Sequence, residues 1–206
     1  LSEADNARLV GLQPEDLHEA DTTTLGIGRA LLGEPTAAQV PDRLDWRNVE
    51  GGDYVTPPRH QGLCGACWAF AGIGALESRV MLETHQPGLN LDLAEQTLLS
   101  CDTTGGCSGG SGAAAAYYLQ EYGATTEDCQ PYRTNDTEPC QEDCVRTYAI
   151  SGYQRILPVA YPQPTPTSTE MIEILKAHLV QYGPLWTSME VYDEFYDYRE
   201  GIYTLT

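Results

Sequence analysis

Seven cysteines in 206 residues constrain the fold of this chain more than any other feature of its sequence. They lie at positions 64, 67, 101, 107, 129, 140 and 144. That number is high for a reduced cytosolic protein unless the cysteines bind metal or cycle between redox states. Three disulfides with one thiol outside them is the simplest partition of the odd count. We therefore expect an oxidising location, either extracellular or a lysosome- or vacuole-like compartment.

The composition excludes two classes of partner. The chain has 30 acidic and 11 basic residues, a net charge of −19, so it would repel a phosphate backbone and is not expected to bind nucleic acid. No apolar run approaches the roughly 20 residues that span a bilayer, so no membrane partner is expected either. With 41% hydrophobic and 9% aromatic residues, the composition is that of a folded protein.

Helical patterns dominate the first two thirds of the chain. Residues 1–39 are polar and cysteine-free and run into a loose Gly- and Pro-containing stretch. Apolar residues then recur at helical spacing from Cys67 until 86–88, where the sequence QPG stops the pattern. Asp92 and Glu95 have capping-box spacing and predict a short helix through position 100. A third helix is predicted over 111–122.

The remainder predicts β structure interrupted by one helix. Strands are predicted over 148–159, 185–191 and 201–205, and a helix over 169–182. The order is a helical half, a cysteine-rich loop and a β-rich half, which predicts an α+β fold. Because the last two strands need further partners, we expect the β-rich half to be incomplete at its C-terminus.

Cys67 is the cysteine best placed for chemistry. A thiol at the start of a long helix lies at the positive end of the helix dipole, which favours the thiolate and lowers its pKa. A thiolate can attack a carbonyl carbon, provided that hydrogen-bond donors stabilise the oxyanion. Gln61 lies six residues earlier on a glycine-rich turn and can supply a side-chain amide.

The segment 61–70, QGLCGACWAF, resembles the nucleophile segment of the papain-like cysteine peptidases. Four further segments are similar to that family in the same order along the chain, so the resemblance covers about residues 40–206. They are the mature N-terminus at 40–47, the second helix from 93, the glycine-rich subsite loop at 107–110, and the strand at 201–203 before the catalytic histidine.

The resemblance implies a two-lobed fold and a hydrolase. It implies a propeptide-like extension over 1–39, a helical lobe over 40–147 and a partial β-rich lobe over 148–206. Cys67 would be the nucleophile and Gln61 the oxyanion donor of a secreted endopeptidase that acts on peptides or proteins through a thioester. The family's chemistry needs no cofactor and no metal.

Subsite and disulfide residues follow from the same resemblance. Gly109 and Gly110 would pair with the substrate backbone, and Ser111, Gly112 and Ser188 would lie near the specificity pocket. Ser111 and Gly112 are small, so a roomy pocket is expected. The implied disulfides are Cys64 with Cys107, Cys101 with Cys140, and Cys129 with Cys144.

The family's general base has no counterpart in these residues. Its histidine lies roughly 130–150 residues beyond the cysteine, with an asparagine after it, which places both at or past Thr206. None of the four histidines, His18, His60, His85 and His178, matches the motif. We expect either a truncated chain or a maturation cleavage that leaves the histidine and asparagine on a second chain.

Three alternatives remain open at this point, together with one candidate modification. Cys64 and Cys67 have the spacing of a C-x-x-C thiol-disulfide oxidoreductase, and with Cys101 and Cys107 they could form a structural zinc site. A catalytically incomplete homologue could act as a binding module or a zymogen fragment. Asn135 opens an Asn-x-Thr glycosylation sequon, which is consistent with an oxidising compartment.

Overall fold

The computed structural model describes residues 40–154, 156, 167–189 and 191–203. The predicted propeptide-like segment 1–39 lies outside the described residues, and so do parts of the three predicted strands. In the described part of the chain, no helix is both long and apolar enough to span a bilayer.

Four α-helices and one 3₁₀ helix make up the described secondary structure, and each predicted helix is confirmed to within a few residues. The α-helices are α1 (Cys67–Thr84), α2 (Glu95–Cys101), α3 (Gly112–Glu121) and α4 (Ser168–Tyr182), and the 3₁₀ helix covers Asp193–Asp197.

Helix α1 is the central element of the core. It begins at Cys67 and ends at Thr84, and the left-handed backbone of the C-cap residue His85 lets the chain leave the helix before the Pro-Gly turn. Its buried face includes Ile73 and Leu76, and it packs against both α2 and α3. Leu98 of α2 belongs to the same core, which excludes water from the buried face of α1.

The predicted capping box at the start of α2 is wrong. The N-cap is Ala94, which makes no side-chain capping bond, and its backbone N–H donates to the Thr125 carbonyl at 3.0 Å. Asp92 instead forms an ion pair with Arg59 at 2.9 Å. The pairing of the chain before α2 with residues 125–127 fixes the backbone there, so a long-range contact replaces the local cap.

The predicted strands are wrong within their described parts. Residues that the structure describes form no strand and pair only through isolated bridges, one of which joins Ala124 to Tyr148. The described parts of 185–191 and 201–205 take part in no such bridge. A strand needs a ladder of hydrogen bonds to a neighbour, and no described residue provides that ladder here.

Helix α4 contacts Trp46 and α1 through its own C-terminal end. It opens with a capping box in which Thr167 and Glu170 satisfy each other's backbone N–H groups. The Trp46 indole N–H donates to the Leu179 carbonyl at 2.9 Å, and Arg79 of α1 donates to the Tyr182 carbonyl at 3.2 Å. In the segment that follows α4, the Trp186 ring lies close to Gly72 of α1.

Candidate active site

Hydrogen bonds and a disulfide fix the turn that precedes α1. Gly62 has a φ of +68°, a conformation that favours glycine, and its N–H donates to His60 Nδ1 at 2.9 Å. Cys64 is bonded to Cys107, and the Gly65 N–H donates to the Cys107 carbonyl at 2.9 Å. The covalent bond and the hydrogen bond together fix this turn against the glycine-rich loop.

Cys67 is the first residue of α1 and takes part in none of the three disulfides. Burial raises the pKa of its thiol, while the backbone N–H groups of Trp68 and Cys67 act in the opposite direction with a smaller effect. The prediction of a lowered pKa therefore does not hold for the described residues. Burial disfavours the thiolate, so ionisation needs a cationic partner near the sulfur.

The six remaining cysteines are joined in the pairs that the resemblance implies, Cys64 with Cys107, Cys101 with Cys140, and Cys129 with Cys144. Two alternatives are therefore wrong. Cys64 and Cys67 do not form a C-x-x-C redox pair, because Cys64 is bonded elsewhere. The four-cysteine zinc site would have three of its ligands in disulfides, whereas zinc binds thiolates; the described residues also contain no other group of metal-ligating side chains.

Gln61 is positioned by a residue that the sequence did not single out. The hydroxyl of Tyr132 donates to the Gln61 backbone carbonyl at 2.7 Å. The Tyr132 ring packs edge-to-face on Phe70 in the first turn of α1, with ring centroids 4.9 Å apart. Tyr132 therefore links the backbone of the predicted oxyanion donor to the helix that carries the nucleophile.

The glycine-rich loop lies directly against the first turn of α1. Gly106 and Gly109 exchange backbone hydrogen bonds of 2.9 and 3.2 Å, and Trp68 Nε1 donates to the Gly106 carbonyl at 3.1 Å. A Cβ on Gly110 would lie 2.4 Å from the Trp68 ring, so only glycine fits there. The two glycines of the predicted substrate contact, Gly109 and Gly110, are thus brought next to the residue that follows Cys67.

The residues of the predicted specificity pocket have different surroundings. Ser111 caps α3, its hydroxyl accepting from the Ala114 N–H at 3.3 Å. A Cβ on Gly112 would lie 3.1 Å from the Trp186 ring, and Ser188 is exposed two residues beyond that tryptophan. The space that we expected beside Gly112 is therefore narrowed by Trp186, whose role the sequence did not reveal.

The model of the papain family of cysteine proteases matches residues 40–206. The chain belongs to the papain family. Curated relatives within it include Pro-cathepsin H of Bos taurus, 35% identical over 175 residues (81% of this chain, 46% of the relative), and Cathepsin K of Mus musculus, 33% identical over 168 residues (80% and 46%). The chain thus spans about half the length of these relatives.

Solved structures support the same assignment. A procathepsin L2 proteinase from the larval midgut of Tenebrio molitor superposes with a TM-score of 0.58 at 29% identity, covering 75% of this chain and 48% of that one. The fold is accordingly the papain-like α+β fold, and its helix-rich part is the one that the structure describes most fully.

Three histidines, His60, His85 and His178, lie in the described part of this papain-family chain. His60 Nδ1 accepts the Gly62 N–H in the turn before the nucleophile. His85 ends α1, and His178 Nδ1 lies 2.8 Å from the Ile174 carbonyl within α4. His18 lies outside the described residues.

The sequon residue Asn135 lies in the disulfide-linked loop 129–144. Its side-chain carbonyl accepts from the backbone N–H of Thr137 at 3.0 Å and from the Thr137 hydroxyl at 2.9 Å. The sequon threonine therefore contacts the side chain that would carry a glycan.

Two buried carboxyl groups, Glu77 of α1 and Glu95 of α2, lie near the partly buried Asp92 and Glu127, and no local sequence pattern marks this arrangement. Burial raises the pKa of Glu95 to about 8, and the nearby Glu127, Glu77 and Asp92 add to the rise. Burial also raises the pKa of Glu77, whose carboxyl accepts hydrogen bonds from the Leu93 N–H and the Thr56 hydroxyl. Glu95 is therefore neutral over most of the acidic range.

Proposed function

We propose that this protein is a cysteine endopeptidase that hydrolyses peptide bonds through a thioester on Cys67. The observation that carries the proposal is the position of Cys67. It is the one cysteine outside the disulfides, it opens the central helix, and the turn before it is bonded to the glycine-rich loop. A nucleophile needs a reduced sulfur held at a fixed place beside a substrate-binding surface.

The reaction proceeds in two steps. The Cys67 thiolate attacks the scissile carbonyl carbon, and the negative charge moves to the carbonyl oxygen, where the Gln61 amide and backbone N–H groups at the start of α1 stabilise it. The C–N bond then breaks, the amine leaves with a proton from the general acid, and a thioester remains. Water attacks the thioester, and the carboxylic acid and the Cys67 thiol are released.

We assign the general base to none of the four histidines in these residues. Two observations support this assignment: His60 and His178 are engaged in local hydrogen bonds, and burial raises the pKa of the Cys67 thiol. A histidine outside residues 1–206, on the same polypeptide or on a second chain, would form the ion pair that ionises the thiol.

The substrate backbone pairs with Gly109 and Gly110, and Ser111, Gly112 and Ser188 lie around the neighbouring side-chain pocket. Support comes from the tight turn that ends at Gly109 and from the contact between Gly110 and Trp68. Because Trp186 narrows the space beside Gly112, a medium-sized apolar side chain is favoured there over a large aromatic one.

The leader and the location complete the proposal. Residues 1–39 act as a propeptide, 40–147 form the helical lobe, and 148–206 belong to the β-rich lobe. The family match begins at residue 40, and two of the relatives are named as proenzymes, which supports this division. Three disulfides and the Asn135 sequon support secretion or a lysosome-like compartment, with a glycan on Asn135.

Labelling with a peptidyl vinyl sulfone, read by mass spectrometry, tests the function. We expect one equivalent to add, at Cys67, with six cysteines remaining oxidised, and we expect labelling to abolish hydrolysis of a fluorogenic peptide by the protein that includes the general base. The matched control is Cys67→Ser, which should keep the fold and take no label.

Each other result contradicts a different part of the proposal. Labelling no faster than that of an ordinary thiol would indicate a non-catalytic homologue that serves as a binding module. Two labelled thiols would indicate a redox protein. Peptide hydrolysis by residues 1–206 alone would show that one of their own histidines, or another residue, is the base.

A further inference from the structure

Asp136 is an acidic side chain that accepts a hydrogen bond from the glycine-rich loop. It lies in the loop 129–144, and its Oδ2 accepts the backbone N–H of Cys107 at 2.7 Å. That distance is typical of a charge-assisted hydrogen bond. The Cys107 carbonyl, on the other side of the same residue, accepts from the Gly65 N–H at 2.9 Å.

The two polar backbone groups of Cys107 are therefore both fixed, and by different parts of the chain. Gly65 belongs to the turn before the nucleophile, whereas Asp136 comes from the loop 129–144. Cys107 lies in the tight turn that Gly106 and Gly109 close with two backbone hydrogen bonds. The orientation of that turn sets the direction in which Gly109 and Gly110 face a substrate.

Gly106 is shaped to admit this carboxylate. A Cβ on Gly106 would lie 2.6 Å from Asp136 Oδ2, closer than such atoms approach. The backbone of Gly106 is outside the left-handed region, so the conformation alone does not require glycine there. The missing side chain leaves room for Asp136 to reach the Cys107 N–H.

The loop that carries Asp136 is itself anchored. Its ends are tied by the Cys129–Cys144 and Cys101–Cys140 disulfides, and the Gln96 side-chain amide donates to the Asn135 carbonyl at 2.7 Å. A carboxylate on an anchored loop can hold a backbone N–H in one place, whereas one on a mobile loop cannot.

We infer that Asp136 is a positioning residue, which orients the 106–110 turn so that Gly109 and Gly110 can pair with the substrate backbone. The inference rests on the proposed function and adds a determinant of substrate binding to it. Asp136 does not touch the substrate or the reacting atoms. Its loss should weaken the binding of a peptide while leaving the nucleophilicity of Cys67 unchanged.

Two alkylating reagents separate these effects in the whole protein. Iodoacetamide needs only the thiol, whereas a peptidyl vinyl sulfone must also pair with the 106–110 turn. For Asp136→Ala we expect the inhibition constant of the vinyl sulfone to rise about tenfold. We expect its maximal inactivation rate and the iodoacetamide rate to stay within about twofold of those of the unaltered protein.

Three further variants sharpen the test. Asp136→Asn keeps an oxygen acceptor and should restore the inhibition constant to within about threefold. Gly106→Ala should displace the carboxylate and weaken peptide binding as Asp136→Ala does; it also stands in for that variant if Asp136→Ala does not fold. Glu142→Ala removes an exposed acid of the same loop and should change nothing. None of the Asp136 variants alters the Asn135 sequon, because its middle position accepts Ala and Asn.

The outcomes distinguish this inference from the proposed function. If the unaltered protein reacts with the vinyl sulfone no faster than with iodoacetamide, the proposed function fails and the inference falls with it. If the preference exists and Asp136→Ala keeps it, the inference alone is overturned. Equal slowing of both reagents would also overturn it, because a general structural defect would then explain the effect.

Discussion

The helical unit, residues 40–150, and the C-terminal segment, residues 167–203, differ in how they are stabilised. All three disulfides lie in the helical unit, and so do the buried hydrophobic residues of the described chain except Ala177. In α4, by contrast, Ile172 is 50% exposed and Leu175 is 37% exposed. The helical unit has a core of its own, whereas the C-terminal segment rests on its surface.

Three contacts between described residues illustrate how the two regions meet. Two of them are hydrogen bonds, from Trp46 and Arg79 to carbonyls of α4, and a third is the packing of Trp186 near Gly72 of α1. Hydrogen bonds of this kind each contribute about 1 kcal/mol. A perturbation of the C-terminal segment should therefore leave the helical unit folded, and the nucleophile turn with it.

The largest expected difference between the two regions is in the effect of an isoleucine-to-alanine substitution on the free energy of unfolding. Ile73→Ala in α1 removes a side chain that is 0% exposed, and it should lower the free energy of unfolding by about 2–5 kcal/mol because a cavity remains. Ile172→Ala in α4 removes a half-exposed side chain and should change the free energy of unfolding by less than about 1 kcal/mol. Urea denaturation followed by circular dichroism measures both.

A large loss of stability in Ile172→Ala would contradict this difference between the two regions. A loss comparable to that of Ile73→Ala would mean that α4 is covered in the whole protein and belongs to one cooperative core. Separate urea transitions for the two regions would instead strengthen the distinction.

The second prediction concerns the pH dependence of the helical unit. Folding raises the pKa of Glu95 to about 8 from an ordinary value of about 4.3. Between these values the folded state binds one more proton than the unfolded state, so the free energy of unfolding falls as the pH rises. At about 1.4 kcal/mol per pH unit, the loss between pH 5 and pH 8 is up to about 4 kcal/mol.

Glu95→Gln tests this dependence, because a neutral amide cannot ionise. The variant should have a flatter profile of melting temperature against pH and should be more stable than the unaltered protein at pH 8. The exposed Glu142→Gln is the matched control and should keep the original slope. A slope that persists in Glu95→Gln would assign the pH dependence to another group, such as Glu77 or Glu127.

Local signals explain what the sequence predicted well. The start of α1 at Cys67 follows from the glycine-rich turn before it and the apolar spacing after it, and α4 follows from its own periodicity and the Gly-Pro stop. The family resemblance predicted the disulfide pairs, which the spacing of the cysteines alone could not determine. Each of these features depends on neighbours in the sequence or on a long family motif.

Long-range contacts explain what the sequence missed. Tyr132 and Asp136 reach the nucleophile turn and the glycine-rich loop from positions 71 and 29 residues away, and no local pattern marks them. The Ala94 cap depends on pairing with residues 125–127, and the raised thiol pKa depends on burial of Cys67. A periodicity argument cannot evaluate burial or a through-space partner.

The smallest predicted effect tests whether the two regions unfold independently. Thr167→Ala removes the hydroxyl that accepts the Glu170 backbone N–H in the capping box at the start of α4, and should destabilise that helix by about 1 kcal/mol. Hydrogen exchange should show lost amide protection in the first turn of α4 and unchanged protection in α1, because the two hydrogen bonds described between these regions lie at the opposite, C-terminal end of α4. Thr167→Ser keeps the hydroxyl and should keep the protection. If protection in α1 fell as well, α4 would be coupled to the helix that carries Cys67, and the C-terminal segment would then influence the geometry of the nucleophile.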